Sequence, residues 1–118
     1  MTQEWRNVTV EKAANIYFDG RVTSRTAWLH DGSKITLGIM LPGEYEFHTN
    51  SMEVIDVISG EMKFLLSGET LWREINGRGT FSVPAHSSFK VKIHSVTDYC
   101  CSFGSAACEN KPIDGTQQ

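Results

Sequence analysis

Short runs of alternating apolar and polar residues fill most of this chain, and turn residues break them at the roughly 8–12-residue spacing of an all-β sandwich or barrel. In "KITLGIML" the apolar positions are Ile35, Leu37, Ile39 and Leu41. "FKVKIHSV" sets Phe89, Val91, Ile93 and Val96 against Lys90, Lys92 and His94, the pattern of a strand with one wet face. "EVIDVIS", "MKFLL", "TFSVP" and "DYCCSF" also read as strands. Asp-Gly pairs in "FDGR" and "LHDGSK", a Pro-Gly pair in "LPGEY", and the glycines of "ISGEM", "LSGE" and "INGRG" supply the turns. Only residues 9–16 suggest a turn of helix.

Composition narrows the class without changing it. The chain has 118 residues, enough for one domain, with 40% hydrophobic and 21% charged residues. A net charge of −3 gives no reason to expect nucleic acid or an anionic membrane as partner. No apolar run approaches the roughly 20 residues of a membrane span. The start, "MTQEWRNVTVEKA", lacks the apolar core of an export signal, so a cytoplasmic location is expected. Cys100, Cys101 and Cys108 do not make a disulfide framework. On a last strand, Cys100 and Cys101 point to opposite faces and read as small hydrophobes.

About eight to eleven short strands suit a jelly roll or closed barrel. In "GEYEFHTN" the faces then matter. Glu44, Glu46 and His48 share one face, and Tyr45, Phe47 and Thr49 the other. One of them looks inward, and burying two acids and a histidine is costly unless they pair or bind something. Asp56, in the middle of an apolar strand, raises the same question.

The spacing of Gly43, His48, Glu53 and Gly60 resembles the first motif of cupins. The second motif is reduced to Pro84, with Ala85-His86 and Phe89 where a glycine and a third histidine are expected, and Asn50 stands at the second histidine position. The blocks "YFDGRVTS", "TLGIMLPGEYEF", "VISGE", "FSVPAHSSF" and "YCCSF" are similar, in order and spacing, to the small cupin family of pyrimidine/purine nucleoside phosphorylases. The resemblance covers residues 16–103 and implies an all-β, single-domain cupin (RmlC-like) jelly-roll β-barrel. Residues 1–15 are left as an N-terminal extension and 104–118 as a polar C-terminal tail.

That resemblance implies reversible phosphorolysis of purine and pyrimidine nucleosides, with broad specificity, to free base and ribose 1-phosphate. Phosphate is the co-substrate, and neither metal nor other cofactor is implied. The chemistry asks for a carboxylate near the anomeric carbon, for which Glu53 and Glu46 are candidates. It asks for a donor to the leaving base, for which His48 and His86 are candidates. Phosphate needs cations or hydroxyls, for which Arg21, Ser24, Arg25, Ser87 and Ser88 are candidates. Each has an ordinary structural reading beside this one: surface charge for Arg21, Arg25 and Glu46, a loop contact for Glu53, solvated rings for His48 and His86. The expected arrangement is a β container around a small polar chamber that handles sugar and phosphate without a cation. The alternatives are a metal-dependent cupin, such as a dioxygenase or isomerase using His48, Glu53 and His86, or a non-catalytic binding module. Exposed sheet edges of a jelly roll suggest a homodimer.

Overall fold

The structure, a computed structural model, describes residues 4–104. The strands are β1 (Thr9–Tyr17), β2 (Val22–Trp28), β3 (Lys34–Met40), β4 (Gly43–His48), β5 (Glu53–Ser59), β6 (Glu61–Leu66), β7 (Arg73–Asn76), β8 (Gly79–Val83), β9 (Ser88–Ile93) and β10 (Thr97–Phe103). They form a six-stranded sheet, ordered β1-β2-β3-β10-β5-β8, and a four-stranded sheet, ordered β4-β9-β6-β7. Pairing is antiparallel throughout, and the chain is an all-β jelly roll of two facing sheets rather than a ladder closed on itself. No helix among the described residues is long and apolar enough to cross a membrane.

Turn chemistry fixes the corners. Gly60, between β5 and β6, has φ +128°, and a Cβ there would lie 2.5 Å from the Thr97 hydroxyl. Only glycine fits that backbone and that contact. Its carbonyl also accepts from the Gly77 amide at 2.7 Å, tying two turns together.

The structure departs from the sequence reading in four places. Residues 9–16 are not a turn of helix: they lie in β1, whose partner β2 supplies hydrogen bonds that local propensity does not register. β1 therefore crosses the boundary drawn at residue 15. In "FKVKIHSV" the strand stops at Ile93, because the His94 and Ser95 amides turn onto the Glu61 carbonyl at 2.9 and 3.4 Å, and Val96 is exposed. In β3 the inward face is Thr36, Gly38 and Met40, while Leu37, Ile39 and Leu41 look outward. The fourth departure is the interior itself.

Between the sheets lies an apolar core that includes Tyr45, Phe47, Phe64, Phe81, Phe89, Ile55, Val57 and Val91. Phe64 of the four-stranded sheet stacks on Phe81 of the six-stranded sheet, centroids 3.9 Å apart and planes 7° from parallel. Phe89 meets Phe81 edge-on at 5.9 Å and Phe47 at 5.4 Å. A void of about 10 Å³ remains among Met40, Phe47, Ile55, Phe81, Phe89, Val91 and Tyr99. That is room for one water at most. Among the described residues, the centre of the jelly roll is thus packed with rings rather than polar groups. The tail proposed for 104–118, with Cys108, falls outside the described residues from position 105 onward.

Removing the Phe81 ring should cost about 3–5 kcal/mol, the range for a buried aromatic truncated to alanine. Urea unfolding of Phe81→Ala against the parent checks this, and a loss below about 1 kcal/mol would mean that the interior is not close-packed.

Candidate functional site

Polar groups interrupt the apolar interior at one end of the sandwich. Register defines that end. β5 begins at Glu53, opposite Phe103 where β10 finishes and opposite Val83 where β8 finishes. β4 ends at His48, opposite Ser88 where β9 begins. Thr49 clamps the adjoining loops: its hydroxyl donates to the Pro84 carbonyl at 2.7 Å and accepts from the Ser87 amide at 3.0 Å. The Gly104 amide donates to the Met52 carbonyl at 2.8 Å.

Across the inner face of the six-stranded sheet runs a polar row. On β1, the Asn15 side-chain amide donates to the Ser24 and Thr26 hydroxyls of β2, each at 3.1 Å. Thr26 pairs with Thr36 on β3, and Thr36 with Cys101 on β10. The Cys101 thiol donates to Glu53 Oε1 at 3.6 Å. Tyr99 lies two residues before Cys101 on the same face. The Thr36 hydroxyl is buried and has no hydrogen-bond partner among the described residues. A buried orphan of this kind, beside a buried acid, marks a place not built for stability alone.

Glu53 is the pole of this row. Its side chain is 1% exposed. Burial pushes its pKa up from 4.5 to about 8; the Cys101 thiol bond and the Lys34 charge oppose the rise without cancelling it. The same burial raises the Tyr99 hydroxyl and the Cys101 thiol well above their usual ranges. The sequence reading takes Glu53 as a carboxylate; burial favours its protonated form, a potential donor. The rim beside it reaches solvent: Met52 is 41% exposed, Pro84 and His86 are exposed, and Phe103 is half-buried with the Lys34 ammonium 4.4 Å from its ring centroid.

The other proposed site residues separate into five places. His86, Ser87 and Ser88 lie in or next to the loop at the Glu53 end, where His86 adopts a left-handed backbone, φ 55°. Ser24 is inside, bonded to Asn15. Glu46 and His48 are exposed on the outer face of the four-stranded sheet, because the β4 pleat turns Tyr45, Phe47 and Thr49 inward. Glu46 there lines two shallow grooves, of about 450 and 250 Å³, with its register partner Lys90. Arg21 sits at the opposite end of the sandwich, 5.4 Å from the Tyr45 ring, and Arg25 lies on the outer face of the six-stranded sheet, bonded to the Lys12 carbonyl at 2.8 Å. His48, Glu53 and His86 do not converge as a ligand set: no group of three His, Cys, Asp or Glu that could hold a metal ion occurs among the described residues. Asp56 faces outward and accepts from the Thr80 hydroxyl at 3.2 Å.

Sequence reasoning passed over Asn15, Thr26, Thr36 and Cys101. The signal was present in "KITLGIML", where Lys34, Thr36 and Gly38 occupy the second face.

Residues 12–103 match the sequence profile of a family described as pyrimidine/purine nucleoside phosphorylase. A protein of that name from Chlorobium chlorochromatii is 55% identical over 100 residues, covering 85% of this chain and 96% of the relative. One from Wolinella succinogenes is 52% identical over 103 residues, covering 87% and 98%. The crystal structure of a protein of unknown function from Acinetobacter sp. ADP1 has a TM-score of 0.82 at 35% identity, over 86% of this chain and 98% of that one. An RmlC-like cupin from Shewanella frigidimarina, 16% identical, shares the fold with a TM-score of 0.62 over 77% of this chain and 81% of its own.

Glu53 also sets a pH dependence of stability. Below pH 4.5 both folded and unfolded chains hold the proton. Between about 4.5 and 8 the unfolded chain releases it and the folded chain keeps it, so stability falls as pH rises, then levels off. The full effect is on the order of 5 kcal/mol. Glu53→Gln should remove this fall and unfold at higher urea than the parent at pH 8.5. Equal pH slopes for the two proteins between pH 5 and 8.5 would contradict the buried neutral acid.

Proposed function

The chain belongs to the pyrimidine/purine nucleoside phosphorylase family, and we propose that it catalyses the reversible phosphorolysis of purine and pyrimidine nucleosides to free base and pentose 1-phosphate. The observation that carries this reading is the family match over residues 12–103, which spans every strand of the Glu53 end. In chemical class the enzyme is a pentosyltransferase.

The reaction has few requirements of the protein. A phosphate oxygen attacks the anomeric carbon while the C–N bond to the base breaks, and positive charge builds on the sugar. The base departs as it gains a proton. We place this chemistry at the Glu53 end. Lys34 brings positive charge there, and Ser87, Ser88 and His86 bring hydroxyl, amide and imidazole groups to the rim. Phosphate is the co-substrate, and the reading invokes no further cofactor. Arg21 and Arg25 are left out of the site by position.

A second copy of this chain is the proposed partner. The outer face of β3 carries Leu37, 40% exposed, and Ile39, 36% exposed, with Ile16 from β1 beyond them, and alternation that points apolar residues outward suits a self-complementary face. The free buried thiols Cys100 and Cys101 suit a reducing cytoplasm.

Purified protein incubated with inosine or uridine and phosphate should release hypoxanthine or uracil and ribose 1-phosphate, and omitting phosphate should stop it. Failure to release base from any common nucleoside would overturn the reading. Sedimentation should give about twice the chain mass, and Ile39→Lys should return it to the monomer without loss of fold. A parent protein that sediments as a monomer at micromolar concentration would remove the dimer.

A further inference from the structure

The apolar packing around Glu53 leaves its role in the reaction open to a more specific assignment, which rests on the phosphorylase reading above. Three observations bear on it. Glu53 Oε1 accepts a hydrogen bond from the Cys101 thiol, a weak donor at 3.6 Å. Its neighbours across the ladder, Val83 on β8 and Phe103 on β10, bring no charge, and Lys34 is the cation that acts on it. Tyr99, further along the same face of β10, is itself a buried neutral group. A carboxylate meant to offset positive charge on a sugar would be ill placed here, because burial opposes its charged form more strongly than Lys34 and the Cys101 thiol favour it. A carboxylic acid meant to give up a proton is better placed, on the first residue of β5, next in sequence to the exposed Met52 and across the ladders from the last residues of β8 and β10.

We propose that Glu53 is the proton donor to the departing base, and that Cys101, through its thiol bond to Oε1, is the positioning residue that orients the carboxyl group. As the phosphate oxygen bonds to the anomeric carbon, the C–N bond breaks and its electron pair moves to the base nitrogen. The Glu53 proton passes to the base. The hydrogen phosphate that attacked loses its own proton on becoming the pentose phosphate, and that proton returns to Glu53. Atoms and charge balance, and no other reactant is needed. The substrate class follows: bases that leave as anions unless protonated depend on Glu53, whereas bases that leave neutral do not.

Inosine and 7-methylguanosine separate the two, since 7-methylguanine departs from a cationic purine. Glu53→Gln should lower kcat/KM for inosine about tenfold or more while holding 7-methylguanosine within about threefold of the parent. The parent should lose activity on inosine as pH rises past about 8, and the variant should not. Cys101→Ala, which removes a donor to the carboxylate, should move that alkaline limb to higher pH; Cys101→Ser, a stronger donor, should move it lower. Equal losses on both nucleosides in a folded Glu53→Gln protein, or an alkaline limb untouched by both Cys101 variants, would overturn the assignment while leaving the phosphorylase reading intact. A parent inactive on every nucleoside would remove both. If Glu53→Gln does not fold, infrared spectra of the parent and Cys101→Ala decide. A protonated-carboxyl carbonyl band at pH 7 whose loss at high pH shifts upward in the variant supports the assignment, and a parent without that band defeats it.

Discussion

The stack of Phe64 on Phe81 is the contact through which the two sheets hold each other. Neither sheet is stable alone in water with such a face uncovered, and offset or parallel ring packing adds to the area the rings remove from solvent. The stack also fixes direction. With Phe64 and Phe81 facing inward, the period-two pleat assigns every other residue of β6 and β8, and the ladders carry that choice to their neighbours. Phe89 and Phe47 follow on β9 and β4. Filled this way, the rings leave a void of only about 10 Å³ among them.

Glu53 gains its properties from that packing. An acid at the open mouth of a wet chamber would ionise normally. One placed where β5, β8 and β10 meet, against an apolar interior, is held neutral, with a thiol as its neighbour. The polar row from Asn15 to Cys101 runs toward it across four strands, so the six-stranded sheet has two inner surfaces: apolar under the four-stranded sheet and polar toward the Glu53 end. The fold therefore offers a site at a margin rather than a chamber in a centre.

Much of the architecture was legible in the sequence. The strands of "EVIDVIS", "MKFLL", "TFSVP" and "DYCCSF" and the glycine turns stand where alternation and turn chemistry put them, because both are local properties. Phase was less legible. In β3 the more apolar face turned out to be the outer one, since the inner face is where Thr36 and Gly38 belong and tertiary packing outranks local hydrophobicity. β1 was invisible because its hydrogen bonds come from β2. Glu53 was singled out for its spacing, but no spacing rule reveals that burial would reverse its charge state. Thr36 and Cys101 become a row only when β3 and β10 lie side by side, more than sixty positions apart in sequence.

His48 shows what phase does to a motif. Counted along the chain, Gly43, His48, Glu53 and Gly60 keep the interval of a ligand set. Glu53 lies five positions after His48, an odd offset with a loop between, so the pleat of β4 and that of β5 need not agree on which side is inside. They do not: His48 faces solvent beside Ser88, and Glu53 faces the core. Thr49, the neighbour that does face inward, serves the loop by bridging Pro84 and Ser87. The scaffold has kept the interval and turned its one histidine outward. What it retains inside is an acid, Glu53, whose protonated form the apolar walls favour.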